Sequence, residues 1–248
     1  MKAILTYHSI DPSGSPVSVD EVTFRRHVRW LASGTIRVVT LAELLRLPAD
    51  AAAVALTFDD GFESVGTIAA PLLLEHALPA TIFVVSDHAG GTNAWRGRPQ
   101  PGIPTLPLLG WDALARLAEA GMELGAHSRT HPHLTELRGD ALRDEVEGSA
   151  ERIRQETGCA VRTFAYPYGS VDREVAAAAA AFDFSCTTEM RALDAGDDPR
   201  LLPRLDAYYF LAPGLLEAWG SARLRRYLWL RSQARRMRRR FVPDRTRT

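Results

Sequence analysis

Lysine is all but absent from this chain of 248 residues, where Lys2 stands alone among 30 basic side chains. Arginine and lysine are equivalent at most solvated positions and differ where a planar fork is needed. The bias is therefore read first as genomic base composition, in keeping with the abundance of alanine. Cysteine is also scarce: Cys159 and Cys186 have no CxxC spacing, which argues against a disulfide framework or a thiolate metal site. No stretch approaches the roughly twenty apolar residues of a membrane-spanning helix. The opening Met1-Lys2-Ala3-Ile4-Leu5-Thr6-Tyr7-His8 holds an apolar run too short for a signal-peptide core, with no small-residue cleavage site after it. A cytoplasmic location is the expectation. Acidic residues are missing from one region only. From Ser221 onward there are eleven Arg and one Asp, which leaves residues 1–220 with nineteen basic against twenty-nine acidic side chains. The formal net charge of zero thus hides an acidic body and a strongly basic tail.

Hydrophobic residues at 46% and charged residues at 24% are ordinary globular values and exclude wholesale disorder or a membrane-embedded chain. Short β-branched runs alternate with helical patterns. Residues 3–7, 36–40, 54–58, 80–85, 122–126, 163–166 and 184–187 read as strands. Phe24, Val28 and Leu31 keep helical spacing, and residues 66–76, 111–120, 140–157 and 171–181 are also helical. Ser18 with Glu21, and Thr40 with Glu43, look like capping boxes. This order implies parallel strands joined by helical crossovers, and seven or eight repeats favour a barrel over a doubly wound sheet. We expect one α/β catalytic barrel of about seven units over residues 1–220 and a basic helix or tail over 221–248. The loop 86–109, rich in Gly and Pro, has the length of a binding loop or lid, with Trp95 and Arg96 as its substrate contacts.

Polar residues at the strand ends carry the chemistry. Thr57-Phe58-Asp59-Asp60-Gly61 closes the third strand with adjacent carboxylates, which are costly unless a cation or hydrogen bonds hold them. Alone, the pair also fits a turn whose Asp caps the next helix. His127-Ser128-Arg129-Thr130-His131-Pro132 follows the fifth strand, and Pro132 disfavours a helix at His131, so both imidazoles belong to a loop. The C-terminal ends of parallel barrel strands share one face, where Asp60, His127 and His131 can meet. Two His and one carboxylate leave coordination positions open, as in a catalytic metal site. Phe164-Ala165-Tyr166-Pro167-Tyr168-Gly169 is a further strand running into a turn, able to aim a backbone N–H and aromatic faces across the metal.

These three segments, in this order, resemble the first three motifs of the polysaccharide deacetylase family (NodB-like, carbohydrate esterase family 4). Tyr7-His8-Ser9-Ile10 is similar to the start of many bacterial members, and the likeness covers roughly residues 1–210. It implies a distorted (β/α) barrel and metal-dependent hydrolysis of N-acetyl, sometimes O-acetyl, groups on a surface glycan or its precursor. It makes Asp59 the general base, assigns one divalent ion, zinc by preference, to Asp60, His127 and His131, and gives Tyr168 the oxyanion-binding N–H. Tyr166, Pro167, Trp95 and His8 are candidate substrate contacts. Three departures stand out. Ala165 occupies the place of an Arg that orients the base, the fourth motif has no counterpart, and Leu205-Asp206-Ala207 lacks the His that protonates the leaving amine. His8 is a candidate for that acid, or else a packed histidine. The alternatives are an amide hydrolase of a small metabolite on the same barrel, or a non-catalytic carbohydrate-binding relative.

In the tail, Tyr227, Leu230, Ala234, Met237 and Phe241 recur at helical spacing among arginines. The stripe either packs on the acidic barrel or faces an anionic membrane or acidic partner. No nucleic-acid partner is expected, and a membrane site would suit a lipid-linked glycan.

Overall fold

The computed structural model describes residues 1–241, and at 236 and 238–241 the backbone alone. The expected roles of Phe241 and of Arg236, Arg238, Arg239 and Arg240 in the tail therefore lie outside the described side chains. The strands are β1 (Lys2–Tyr7), β2 (Ser9–Ile10), β3 (Ser18–Val19), β4 (Arg37–Val38), β5 (Ala53–Phe58), β6 (Ala80–Val84), β7 (Glu123–Ala126), β8 (Thr163–Ala165), β9 (Phe184–Cys186) and β10 (Leu205–Asp206). The helices are α1 (Glu21–Ala32), α2 (Leu41–Arg46), α3 (Ala70–Glu75), α4 (Trp111–Glu119), α5 (Gly139–Arg143), α6 (Ser149–Thr157), α7 (Arg173–Ala178) and α8 (Ala222–Phe241).

Seven strands follow one another in the order β10-β1-β5-β6-β7-β8-β9, all parallel, with β4 pairing the first half of β5. The result is a curled α/β barrel short of eight units, as expected. Its seam is bridged by one segment. Leu202 pairs with β9 through Thr187 N–H to Leu202 O at 2.8 Å and Leu202 N–H to Ser185 O at 2.9 Å, and Leu205 and Asp206 then pair with β1. The two-residue β10 has no run long enough to show periodicity, so sequence reading passes over it.

Alternation along the strands sorts the two faces. Ala3, Leu5 and Tyr7 of β1 and Val54, Leu56 and Phe58 of β5 join the large outer core under the helices, with Phe24, Val28 and Leu31 of α1. Ile4, Ala53, Ala55, Phe83, Ala165 and Cys186 form a smaller cluster inside the barrel. The interior also holds polar groups: Thr6 and Thr57 hydroxyls bond one another, and Glu123, at the start of β7, accepts from Thr81 (3.0 Å) and Thr163 (3.2 Å).

Local differences have local causes. Thr40 and Glu43 do form a capping box on α2. Ser18 does not cap α1; Asp20 does, accepting from Thr23 N–H, while the Ser18 hydroxyl donates to Asp11 at 2.7 Å. The tail stripe is divided. Leu224 and Leu228 are buried and the Tyr227 hydroxyl donates to Tyr209 O at 2.8 Å, whereas Leu230, Ala234 and Met237 are exposed.

His27 of α1 is fully buried between two partners. Its Nε2 lies 3.0 Å from Phe210 O, which can only accept, so Nε2 carries the proton and Nδ1 accepts from the Tyr7 hydroxyl at 3.0 Å. Burial lowers its pKa from 6.5 to about 4. Between those values the unfolded chain binds a proton that the folded one excludes. Stability should thus fall by roughly 3 kcal/mol as pH drops from 6.5 to 4, with this group's contribution intact above that window. Urea titrations at pH 7 and pH 4.5 of wild type and His27→Gln test this. An equal pH dependence in both proteins would refute it.

Candidate active site

Asp59 continues the inward phase of Ala53, Ala55 and Thr57, and its N–H extends the ladder by donating to Tyr7 O at 2.9 Å. Adjacent residues of a strand face opposite ways, yet both carboxylates reach the barrel mouth. The chain turns left-handed at Asp60 (φ +71°) and Gly61 (φ +73°), which breaks the alternation. Ser128, His131 and Tyr168 are also left-handed, so among the described residues four of the six non-glycine positions with a left-handed backbone belong to the three motifs. Such strain persists where the surroundings over-determine the backbone. Around the histidine loop, the Glu145 carboxylate accepts from Arg129 N–H (2.9 Å), Thr130 N–H (2.9 Å) and the Thr130 hydroxyl (2.5 Å). Arg129 in turn clamps Asp87 and Asp144.

His127 donates its Nδ1–H to Ala165 O at 2.7 Å, which fixes the ring with Nε2 directed at Asp60. Asp60 Oδ1 lies 3.5 Å from His127 Nε2 and 3.4 Å from His131 Nε2, and this buried oxygen has no hydrogen-bond partner. An orphaned buried carboxylate oxygen is costly. The spacing is too long for direct hydrogen bonds but matches the ~3.4 Å edge of a tetrahedron whose ligands stand ~2.1 Å from its centre. The three residues together therefore fit a divalent metal ion. Burial holds the His131 pKa well below its usual value, as a neutral ligand requires.

Asp59 is kept out of that set by a partner that sequence reading missed. Arg204, buried in the bridging segment, donates Nη1–H to Asp59 Oδ1 at 2.6 Å and Nη2–H to Oδ2 at 2.7 Å, a bidentate fork. Its Nε–H donates to Thr187 O at 3.0 Å and its guanidinium lies over Phe83, 5.7 Å from the ring centre. Burial would raise the Asp59 pKa, but the Arg204 charge, with help from His127, holds the carboxyl well below the usual range. The guanidinium reaches Asp59 from the segment bonded to β9, one strand beyond the β8 that carries Ala165. One sequence signal was available: an arginine inside the apolar run Leu201-Leu202-Pro203-Arg204-Leu205.

The register that pairs Thr6 with Thr57 continues upward to set His8 beside Asp59, with Nε2 to Oδ2 at 3.9 Å. Asp206, opposite Thr6 on β10, has its pKa raised by burial and opposed by the nearby His8. Trp95 folds back from the long loop and stacks on His131, centroids 4.5 Å apart at 22°, while the Tyr168 ring meets His131 edge-on at 4.5 Å. Arg96 remains exposed. One expected substrate contact is corrected. Tyr166 is fully buried with its hydroxyl donating to Arg200 O at 3.0 Å, because the strand phase turns it into the outer core, and Pro167 begins the turn after it. Gly169 (φ +69°) admits no side chain, since a Cβ would come within 2.2 Å of Thr188 Oγ1.

The molecule is thus a curled parallel α/β barrel with an Asp-His-His cluster able to hold a metal ion and an arginine-held carboxylate at its mouth. Residues 46–187 match the family model described as polysaccharide deacetylase, and the chain belongs to that family. It is 27% identical over 119 residues to a bifunctional xylanase/deacetylase of Pseudobutyrivibrio xylanivorans, covering 48% of this chain but only 17% of that protein. It is 23% identical over 204 residues to the poly-beta-1,6-N-acetyl-D-glucosamine N-deacetylase of Staphylococcus epidermidis, covering 76% of this chain and 67% of that protein. The structure of IcaB from Ammonifex degensii has the same fold, with a TM-score of 0.70 at 22% identity over 88% of this chain and 93% of that one.

Proposed function

We propose that the protein hydrolyses the N-acetyl group of an amino sugar in a glycan or glycan precursor, with zinc as its ion. The observation that carries this is the division of labour between adjacent carboxylates. Asp60 is turned to the two histidines, while Asp59 is held ionised by Arg204 3% exposed at the same mouth. A binding protein has no use for a buried, ionised carboxylate beside its metal ligands, so this arrangement also disfavours a non-catalytic reading.

When bound, the ion lowers the pKa of a coordinated water towards neutrality and polarises the acetyl carbonyl. Asp60, His127 and His131 are the residues that would hold it. Asp59 accepts the proton of the attacking water, its orientation fixed by the Arg204 fork. The Tyr168 N–H, on a turn set by its left-handed backbone, stabilises the developing oxyanion. His8, a fifth exposed at the rim and within 3.9 Å of Asp59, is placed to give a proton to the leaving amine, with the Asp206 carboxyl close by. Trp95 walls the site beside His131 and limits access of bulk water.

The test is acetate release from N-acetylglucosamine oligomers by zinc-loaded protein, with metal content measured in parallel. Wild type should hold one ion per chain and release acetate in a chelator-sensitive manner. His127→Ala should lose both. Acetate release unaffected by chelation, or full metal content in His127→Ala, would overturn the assignment.

A further inference from the structure

The last helix of the described chain has two faces with different fates. Its start is anchored at the foot of the barrel, where Trp219 Nε1–H donates to Met1 O at 3.0 Å just before α8 begins. One face then docks along the barrel flank. Leu224 and Leu228 are buried, and the Arg231 and Arg235 guanidiniums each lie 5.6 Å from the centre of the Tyr209 ring. Tyr209 directly follows β10, and Arg235 also reaches Met190 Sδ at 3.8 Å and acts on Asp206. The helix therefore ascends from the foot of β1 to the rim of the catalytic mouth.

At 100° per residue, Arg226, Trp229, Leu230, Gln233 and Met237 project from the side opposite that docked stripe. Trp229 is 58% exposed, Leu230 51% and Met237 60%, three of the six large hydrophobic residues exposed in the described chain. Arg223, Arg225 and Arg226 are exposed around them, and α8 contains nine Arg and no acidic residue. A solvated helix face has no reason to present Trp, Leu and Met together. A purely electrostatic partner would use the arginines and leave the apolar side chains in water. An anionic bilayer surface accommodates both, with headgroups opposite the arginines and the acyl boundary receiving Trp and Leu.

We propose that the outer face of α8 is a peripheral docking surface for anionic lipid membranes, one that sets the mouth of the barrel beside the lipid surface. This does not depend on the deacetylase reading, because every residue in it lies outside the active site.

The experiment is flotation of the full-length protein with phosphatidylcholine vesicles containing 30% phosphatidylglycerol, and with pure phosphatidylcholine vesicles, at low and high salt. Two variants are compared, Trp229→Ser with Leu230→Ser, and Arg225→Glu with Arg226→Glu. All four side chains are exposed, and unchanged far-UV circular dichroism and thermal midpoint would verify folding. Binding to anionic vesicles at low salt should weaken at least tenfold on neutral vesicles or at high salt. Each arginine lost should weaken it roughly fivefold. The Trp/Leu variant should also bind at least about tenfold more weakly, and should lose a blue shift of tryptophan emission seen with wild type. Absence of binding, or equal affinity for neutral vesicles, would overturn the proposal. So would loss in the arginine variant alone, which would show that charge by itself accounts for the contact and that Trp229 and Leu230 do not enter the lipid. Concentration-dependent self-association abolished by Trp229→Ser with Leu230→Ser, without vesicle binding, would reassign the face to a second copy of the chain.

Discussion

Asp59→Asn should leave the metal in place and reduce acetate release by about 10² to 10⁴, the usual range for loss of a general base. The carboxylate is not among the converging ligand atoms, since both its oxygens are occupied by the Arg204 fork. Asparagine keeps the shape and one acceptor for Arg204 but cannot take a proton from water. Metal stoichiometry near one, together with collapsed turnover, separates this variant from His127→Ala, which should lose both. Turnover within a few-fold of wild type on a good substrate would remove Asp59 as the base.

Arg204→Met should be the most disruptive substitution in both stability and pH dependence. The two side chains are of similar length, so the change deletes charge and fork but little volume. Asp59 then stays buried without a counter-ion, and breaking one partner of a buried pair costs about 3–5 kcal/mol. The sign of the pH effect follows. In wild type the folded pKa of Asp59 lies below its unfolded value, so its stabilising contribution is present above roughly pH 4 and lost as pH falls through the folded value. Without Arg204 the effect of burial is opposed only by the nearby histidines, and the pKa rises. The pair's contribution is then lost at neutral pH. The acid limb of kcat/KM, which reports the free enzyme, should move to higher pH by more than one unit. Arg204→Lys should recover part of the stability, because a point charge replaces the fork. Asp59→Asn with Arg204→Met should be less destabilised than the sum of the single variants, because each removes the same pair. An unmoved acid limb and unchanged unfolding midpoint in Arg204→Met would refute this reading.

The contrast between His127 and Arg204 shows what the sequence disclosed. Asp59, Asp60, His127 and His131 sit within two compact segments, each placed by the strand before it, and parallel strands bring those ends to one mouth. Alternation also accounts for His8, since the pairing of β1 with β5 fixes its neighbour. Arg204 is 145 residues from Asp59, in a segment with two residues of strand, so no local pattern tied them together. Tyr166 was misread because an aromatic beside a motif looks like a contact surface, while its place in the alternation sends it outward into packing. The tail showed amphipathicity but not phase. Arginine guanidiniums over Tyr209 do part of the docking, so the apolar stripe alone did not show which face meets the barrel.

The segment that bridges the seam has a further consequence for assembly of the enzyme. Closing a loop of this length carries an entropic cost that must be met before the contact can repay it. Until residues 202–206 join β9 to β1, Asp59 lacks the guanidinium fork that fixes the direction of its two oxygens. Architecture and orientation are thus completed together: a chain whose barrel is still open at the seam would carry a carboxylate that is charged but unaimed, however well its three motifs were formed.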